Sequence, residues 1–248
     1  AELYVYIGDN QAETRPVHFG MVNDWRLKRG VRMITVDPRL TVTASKSDWH
    51  LAIRPGTDLA LALALSHYIL SNNLHDAEFC AEWIVGFDEW RNFVMEEGYT
   101  PEWAAETTDL KASDIEALAR EIAAADGCVM FASRGVNQHV NSLQTNRALM
   151  FVAAITGNWG RRAGAFFNMT ASVPIGADAP ADRRAKITRP KVRISPVGWT
   201  GAMTHHTPYP MTALLTCNNP LVLWPGQDEV REALKSLELL VHIDLFAN

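Results

Sequence analysis

The 248-residue sequence predicts an α/β fold made of two Rossmann-like, doubly wound parallel-sheet domains. Three observations carry this. Leu3 to Ile7 and Val31 to Val36 are short apolar runs separated by a helix-length segment, the pattern of a βαβ unit. Each run stops at polar or turn residues, Gly8-Asp9-Asn10 and Asp37-Pro38-Arg39, as strands ending at a ligand edge do. The same grammar returns near the end of the chain, where Ala213 to Cys217, Glu229 to Leu237 and Leu239 to Ile243 read as strand, helix and strand.

The first helix should run from Pro16, suited to a first helical turn, to Gly30, with Arg26, Lys28 and Arg29 at its negative end. Trp49 to Ile53 is a further short apolar run, and Pro55-Gly56-Thr57-Asp58 turns the chain into Leu59 to Leu70. Leu and Ala alternate there, which mimics a strand, but both are strong helix formers, so the segment reads as a buried helix. Asp76 to Val85 and Asp88 to Glu97 read as short helices, and Thr100-Pro101-Glu102 opens another. Ser113-Asp114-Ile115-Glu116 has a capping-box pattern and should start a helix reaching about Ala125. Cys128 to Ala132 is a strand, and Asn141 to Thr156 a helix stopped by Gly157. From 161 to 201 the chain is rich in Gly, Pro and Arg and reads as one long loop. The expected domains are therefore 1–137 and 138–248, the second incomplete and carrying that loop.

Composition narrows the function. At 48% hydrophobic and 21% charged the chain is of ordinary globular make-up and long enough to bury a sizeable core. A net charge of −5 gives no basic footprint for nucleic acid. Apolar runs such as Leu59 to Leu65 are far short of a membrane span. Cys80, Cys128 and Cys217 are too scattered for a disulfide framework or metal cluster and read as core thiols, so no metal ligand is assigned. Ala1 stands just before a strand, which suggests a piece of a longer protein.

Asp37, after the second strand of a βαβ unit, can accept hydrogen bonds from a ribose or a base edge, although Asp-Pro also forms turns unaided. Asp58 can do the same or simply help Thr57 cap a helix. Gly8, Asn10 and Thr14 suit a phosphate loop, yet the G-x-G-x-x-G fingerprint of nicotinamide dehydrogenases is missing. Arg134 to His139 follows a strand and brings Gly135, Gln138 and His139 to the same edge.

Several stretches taken together resemble the molybdopterin oxidoreductase family, the enzymes similar to formate dehydrogenase, nitrate reductase and dimethyl sulfoxide reductase. They are Gly8-x-Asn10-x-Ala12-Glu13-Thr14-x-Pro16, Asp37-Pro38-Arg39 with Thr43-Ala44 and Asp48, and Arg54-Pro55-Gly56-Thr57-Asp58. Gly135-x-x-Gln138-His139, Thr156-Gly157-Asn158-x-Gly160 and Asn218-Asn219-Pro220 follow in register. The resemblance implies a bis-(molybdopterin guanine dinucleotide) cofactor holding molybdenum or tungsten. It places Gly8, Asn10, Glu13 and Thr14 at one diphosphate and Asp37 and Asp58 at its guanosine. Arg39, Gly56 and Gly135 belong to the same cofactor-binding motifs, with Gln138 and His139 nearer the pterin and metal. Gly157, Asn158, Asn218 and Asn219 would serve the second dinucleotide. That second set rests on fewer matches, because Arg161 to Ala165 replaces a usual Gly-rich run, Cys217 a usual Gly, and Arg15 stands where His is common.

The implied whole is a molybdenum or tungsten oxidoreductase of which this chain is the central, cofactor-binding portion, inactive alone. Its iron–sulfur cluster would lie outside the chain, and its partners would be a small redox substrate and electron-transfer subunits. The alternative is a non-catalytic scaffold similar to the large iron–sulfur subunit of respiratory complex I; the retained Asp37, Asp58 and Gln138-His139 favour a cofactor binder.

Overall fold

In the computed structural model, residues 1–161, 163–168, 194, 198–217, 221, 224 and 226–245 are described. The chain divides into two compact units, 1–172 and 173–248.

The first unit is a five-stranded, wholly parallel sheet in the order β3-β2-β1-β4-β5, with β1 at Leu3–Ile7, β2 at Arg32–Val36, β3 at Trp49–Leu51, β4 at Cys128–Ala132 and β5 at Ala165–Asn168. The register runs straight across the centre, Ile7 lying beside Val36 on one flank and Ala132 on the other. Strand alternation sorts the core into two faces. Leu3, Val5 and Ile7 of β1, with Cys128, Met130 and Ala132 of β4, join one cluster, while Tyr6 and Phe131 join another.

The larger cluster is covered by helices. Chief among them are α4 (Asp58–Ser71), α8 (Ala112–Ala124) and α10 (Ser142–Ile155), with α5 (Ala77–Trp83), α6 (Phe87–Glu96) and α7 (Pro101–Thr108) outside or beside them. The Leu/Ala segment is helical as expected, and buried along most of its circumference: Ala60 through Ser66, then Ile69 and Leu70, are buried. A helix without a polar face lies between layers, which is what a central crossover requires. Burying each such Leu is worth roughly 1.5 to 3 kcal/mol.

The opposite face meets α2 (Pro16–Arg29), whose Phe19 packs on the edge of Tyr6. Gly30 adopts a left-handed cap at φ 67°, and Arg26, Lys28 and Arg29 fill the last turn. Arg26 also reaches forward, donating to Asp48 at 2.9 Å and to the carbonyl of Lys46 at 2.7 Å. Asp48 accepts in turn from the Met33 amide, so this motif residue holds β2 to the turn that follows it.

Four expectations are corrected. The expected capping box is not formed, since α8 begins at Ala112 with Lys111 as its cap residue. The segment from 161 opens with a strand, β5, because Ala165, Phe166 and Phe167 pair along β4 from Val129 to Phe131. Consequently the first unit runs past the 137/138 boundary and takes in both α10 and β5. Cys80 and Cys128 are core thiols, with burial pushing them up to about 11 and about 12, but Cys217 is exposed.

Among its described residues the second unit contains one parallel pair, β6 (Ala213–Thr216) with β7 (Leu239–His242), joined through α12 (Gln227–Lys235). Helix α11 (Trp199–Thr204) packs on α12 through Ala202, Met203, Val230 and Ala233. Asn218, Asn219 and most of the expected long loop lie outside the described residues. No helix among the described residues is long and apolar enough to cross a membrane.

Candidate functional site

The order β3-β2-β1-β4-β5 winds outward in one direction through β2 and β3, then returns to the other side of β1. Adjacent loops at β1 and β4 therefore leave in opposite directions, opening a crevice at the carboxyl edge where open α/β sheets take ligands. Its floor is a backbone contact. The Gly135 amide donates to the Gly8 carbonyl at 3.0 Å, and a Cβ added to Gly135 would stand 2.6 Å from the Gly8 Cα. Gly8 also has φ +55°.

A cavity of about 270 Å³ opens there, lined by loops from four strands. Gly8, Asp9, Asn10 and Thr14 come from the β1 loop and from α1 (Gln11–Thr14); Asp37, Pro38 and Arg39 from the β2 loop. Gly56 and Asp58 come from the turn into α4, and Ser133, Arg134, Gly135 and His139 from around α9 (Arg134–Asn137). That volume lies just below the roughly 300 to 1,000 Å³ of small-molecule pockets, so it suits part of a dinucleotide.

Each acid is placed by its own loop. Asp37 is buried, and its Oδ1 accepts from the Arg39 amide at 2.9 Å, so the turn reading of this residue is real, yet the residue also faces the cavity. Asp58 is the first residue of α4. The cap reading finds little support there: Thr57 makes no side-chain cap bond and donates instead to the Arg54 carbonyl at 2.7 Å. Burial pushes the Asp58 carboxyl up and the Asp37 charge adds to this, while its own backbone amide and His139 pull it down. The His139 ring lies against Gly56, where an added Cβ would stand 3.3 Å from its Nδ1, and the φ of +81° is one that residues with a side chain rarely adopt.

The loops are locked to one another. The Thr43 hydroxyl donates to Asn10 Oδ1 at 2.9 Å and accepts from the Ala12 amide at 3.0 Å, tying α1 to α3 (Val42–Ser45). Asp9, which the sequence reading leaves as a loop residue, is buried, lines the cavity, pairs with Arg15 at 2.7 Å and accepts from Gln11 at 2.7 Å. Arg134 joins the lining with the rest of its stretch, and Ser133 joins it beyond the residues singled out from sequence. The signal for Ser133 was its position directly after β4.

Other expected residues lie elsewhere. Glu13 and Gln138 are exposed and outside the lining. Gly157 and Asn158 sit at the opposite, amino-terminal edge of the sheet, where Asn158 accepts from the Cys128 amide at 2.8 Å and donates to Thr156 Oγ1 at 3.0 Å. Asn158→Ala should strand that buried amide, costing about 1 to 3 kcal/mol and roughly 2 to 12 °C in melting temperature. Nucleotide affinity should stay unchanged; a loss of affinity at an unchanged melting temperature would make Asn158 a ligand contact.

A family model described as molybdopterin oxidoreductase matches residues 1–248. The chain belongs to the molybdopterin oxidoreductase family. Among its relatives in that family, the probable dimethyl sulfoxide reductase chain YnfF of Escherichia coli is 34% identical over 229 residues, which is 83% of this chain and 28% of that protein. Formate dehydrogenase H of Escherichia coli is 36% identical over 160 residues, 64% of this chain and 22% of that protein. A solved structure, acetylene hydratase from Pelobacter acetylenicus, superposes with a TM-score of 0.76 at 25% identity, covering 98% of this chain and 38% of that one. The chain thus spans about a fifth to two fifths of the length of these proteins. No group of three or more metal-ligating side chains occurs among the described residues.

Proposed function

We propose that the first unit holds the guanosine end of a molybdopterin guanine dinucleotide, within a molybdenum or tungsten oxidoreductase larger than this chain. The observation that carries the reading is the convergence of Asp37 and Asp58 with Gly8, Asn10, Thr14, Arg39, Arg134 and His139 around one cavity at the switch point. This donor set suits the group. Guanine presents N–H donors that carboxylates accept, and a diphosphate needs amide and cationic donors, which the glycine loops and arginines can supply.

When bound, the cofactor would supply two-electron or oxygen-transfer chemistry at its metal; the chain's part is binding, orientation and electrostatics. Asp37 and Asp58 would take the guanosine. Gly8, Asn10 and Thr14 would take the diphosphate, with Arg39 and Arg134 balancing its charge. His139 would lie towards the pterin, followed by Gln138. A second dinucleotide would use the second unit, through Asn218 and Asn219. An iron–sulfur cluster, a small redox substrate and electron-transfer subunits belong to the same reading of the larger enzyme.

Calorimetric titration with guanosine diphosphate, and with adenosine diphosphate as the control, tests the site. Guanosine diphosphate should bind at least about tenfold more tightly, since adenine lacks the adjacent N1–H and N2–H donors with which guanine can bond both oxygens of a carboxylate. Equal affinities would remove the guanine reading.

A further inference from the structure

Three hydrogen bonds tie down Asp37: its amide donates to the Leu51 carbonyl at 3.1 Å, its carbonyl accepts from His50 Nε2 at 2.8 Å, and its Oδ1 accepts from the Arg39 amide at 2.9 Å. The bond from His50 stands where the sheet would have placed a backbone rung. Val36 lies beside Leu51 in the parallel β2–β3 pairing, so the rung after the Asp37 amide would run from the Ile53 amide to the Asp37 carbonyl. Ile53 instead turns back and donates to the Leu51 carbonyl at 3.1 Å. Pro38, next in the chain, has no N–H to offer. The imidazole therefore supplies the donor that the ladder lacks, and because a carbonyl only accepts, Nε2 carries the proton in this contact.

We propose that His50 is a positioning residue for the nucleotide, fixing the Asp37 carboxylate at the cavity wall. The proposal deepens the guanosine reading and rests on it. His50 does not line the cavity, so it acts through Asp37, which does. The path is short. A residue before proline is confined to extended backbone, and the soft freedom left to Asp37 is the tilt of the peptide plane that carries its carbonyl. A bond from the rigid β3 to that carbonyl sets the tilt, which sets where the Arg39 amide lies, and the Arg39 amide holds Oδ1. Oδ2 is then the oxygen left for a ligand. Holding it in place beforehand removes an ordering cost from binding. A purely structural role is less well served, because β3 is already joined to β2 by its backbone from Ile34 to Val36, and in the run Trp49 to Ile53 His50 is the one ionisable side chain.

The test is a double-mutant cycle on guanosine diphosphate affinity in wild type, His50→Leu, Asp37→Asn and the pair, with thermal melts of each. His50→Leu should weaken binding roughly 3- to 10-fold, the worth of one hydrogen bond. His50→Gln, whose Nε2 can make the same bond, should restore it. In the Asp37→Asn background His50→Leu should cost less than about twofold more, because the carboxylate it positions is gone. Equal losses in both backgrounds, no recovery in His50→Gln, or a lower melting temperature with unchanged affinity would overturn the proposal. Hydrogen–deuterium exchange in the nucleotide-free chain keeps the two readings apart: residues 37–41 should exchange faster in His50→Leu than in wild type or His50→Gln. Unchanged exchange there overturns the role of His50 even where guanosine diphosphate binds tightly. Faster exchange in a chain that binds guanosine and adenosine diphosphates alike upholds the hold on Asp37 and removes the guanosine reading.

Discussion

Asp58→Asn is expected to weaken guanosine diphosphate binding about 5- to 150-fold without destabilising the fold. An amide turns part of an acceptor into a donor facing the donors of guanine, a mismatch costing about 1 to 3 kcal/mol when buried. The stability side follows from the raised carboxyl, which burial drives first and Asp37 supports. A raised folded-state value means that the folded chain holds this proton more tightly than the unfolded one. Its favourable contribution is complete below the unfolded carboxyl value and is lost as pH rises through the folded one. At neutral pH the ionised Asp58 is therefore a burden on the empty fold, and the variant should melt no lower than wild type. Wild-type affinity should fall as pH drops through the raised value, because protonation removes an acceptor. The variant's affinity should be flat over that range. A variant that melts lower yet binds equally well would make Asp58 structural.

Gly135→Ala should act through the backbone. The added Cβ would lie 2.6 Å from the Gly8 Cα and 2.8 Å from its carbonyl oxygen, and neither neighbour is a side chain that can rotate away. Strand ends β1 and β4 must separate, at a cost of about 1 to 3 kcal/mol or more, and the switch point opens with them. Both melting temperature and nucleotide affinity should drop. Gly20→Ala is the control: it lies within α2, has nothing within 4 Å of its would-be Cβ, and should stabilise by roughly 0.5 to 1 kcal/mol. An unchanged melting temperature for Gly135→Ala would show that the contact is not tight in solution.

Much of the first unit was legible in the sequence because its strands are short β-branched or aromatic runs ending in polar turns. Asp37, Asp58, Gly56 and Gly135 could be placed at one edge from that alone, since each follows a strand or precedes the helix after one. Gly157 and Asn158 failed the same rule. They follow α10 and precede β5, so parallel winding carries them to the amino-terminal edge. The β5 strand was hidden because four residues, Ala165 to Asn168, are too short a run to stand out between Arg161-Arg162-Ala163-Gly164 and Met169-Thr170-Ala171-Ser172. Its partner β4 makes it a strand, and no local pattern reveals a partner more than thirty positions away. Asp9 was hidden for a related reason, as its burial comes from Gln11 and Arg15 folding back over it.

Hydrogen–deuterium exchange with and without guanosine diphosphate tests the central claim most directly, because it reports where the nucleotide sits. Protection should appear together in residues 8–14, 37–41, 54–58 and 133–139, the four loops that meet at the β1/β4 crevice. Protection confined to other segments, or none in those four loops at saturating nucleotide, would contradict it.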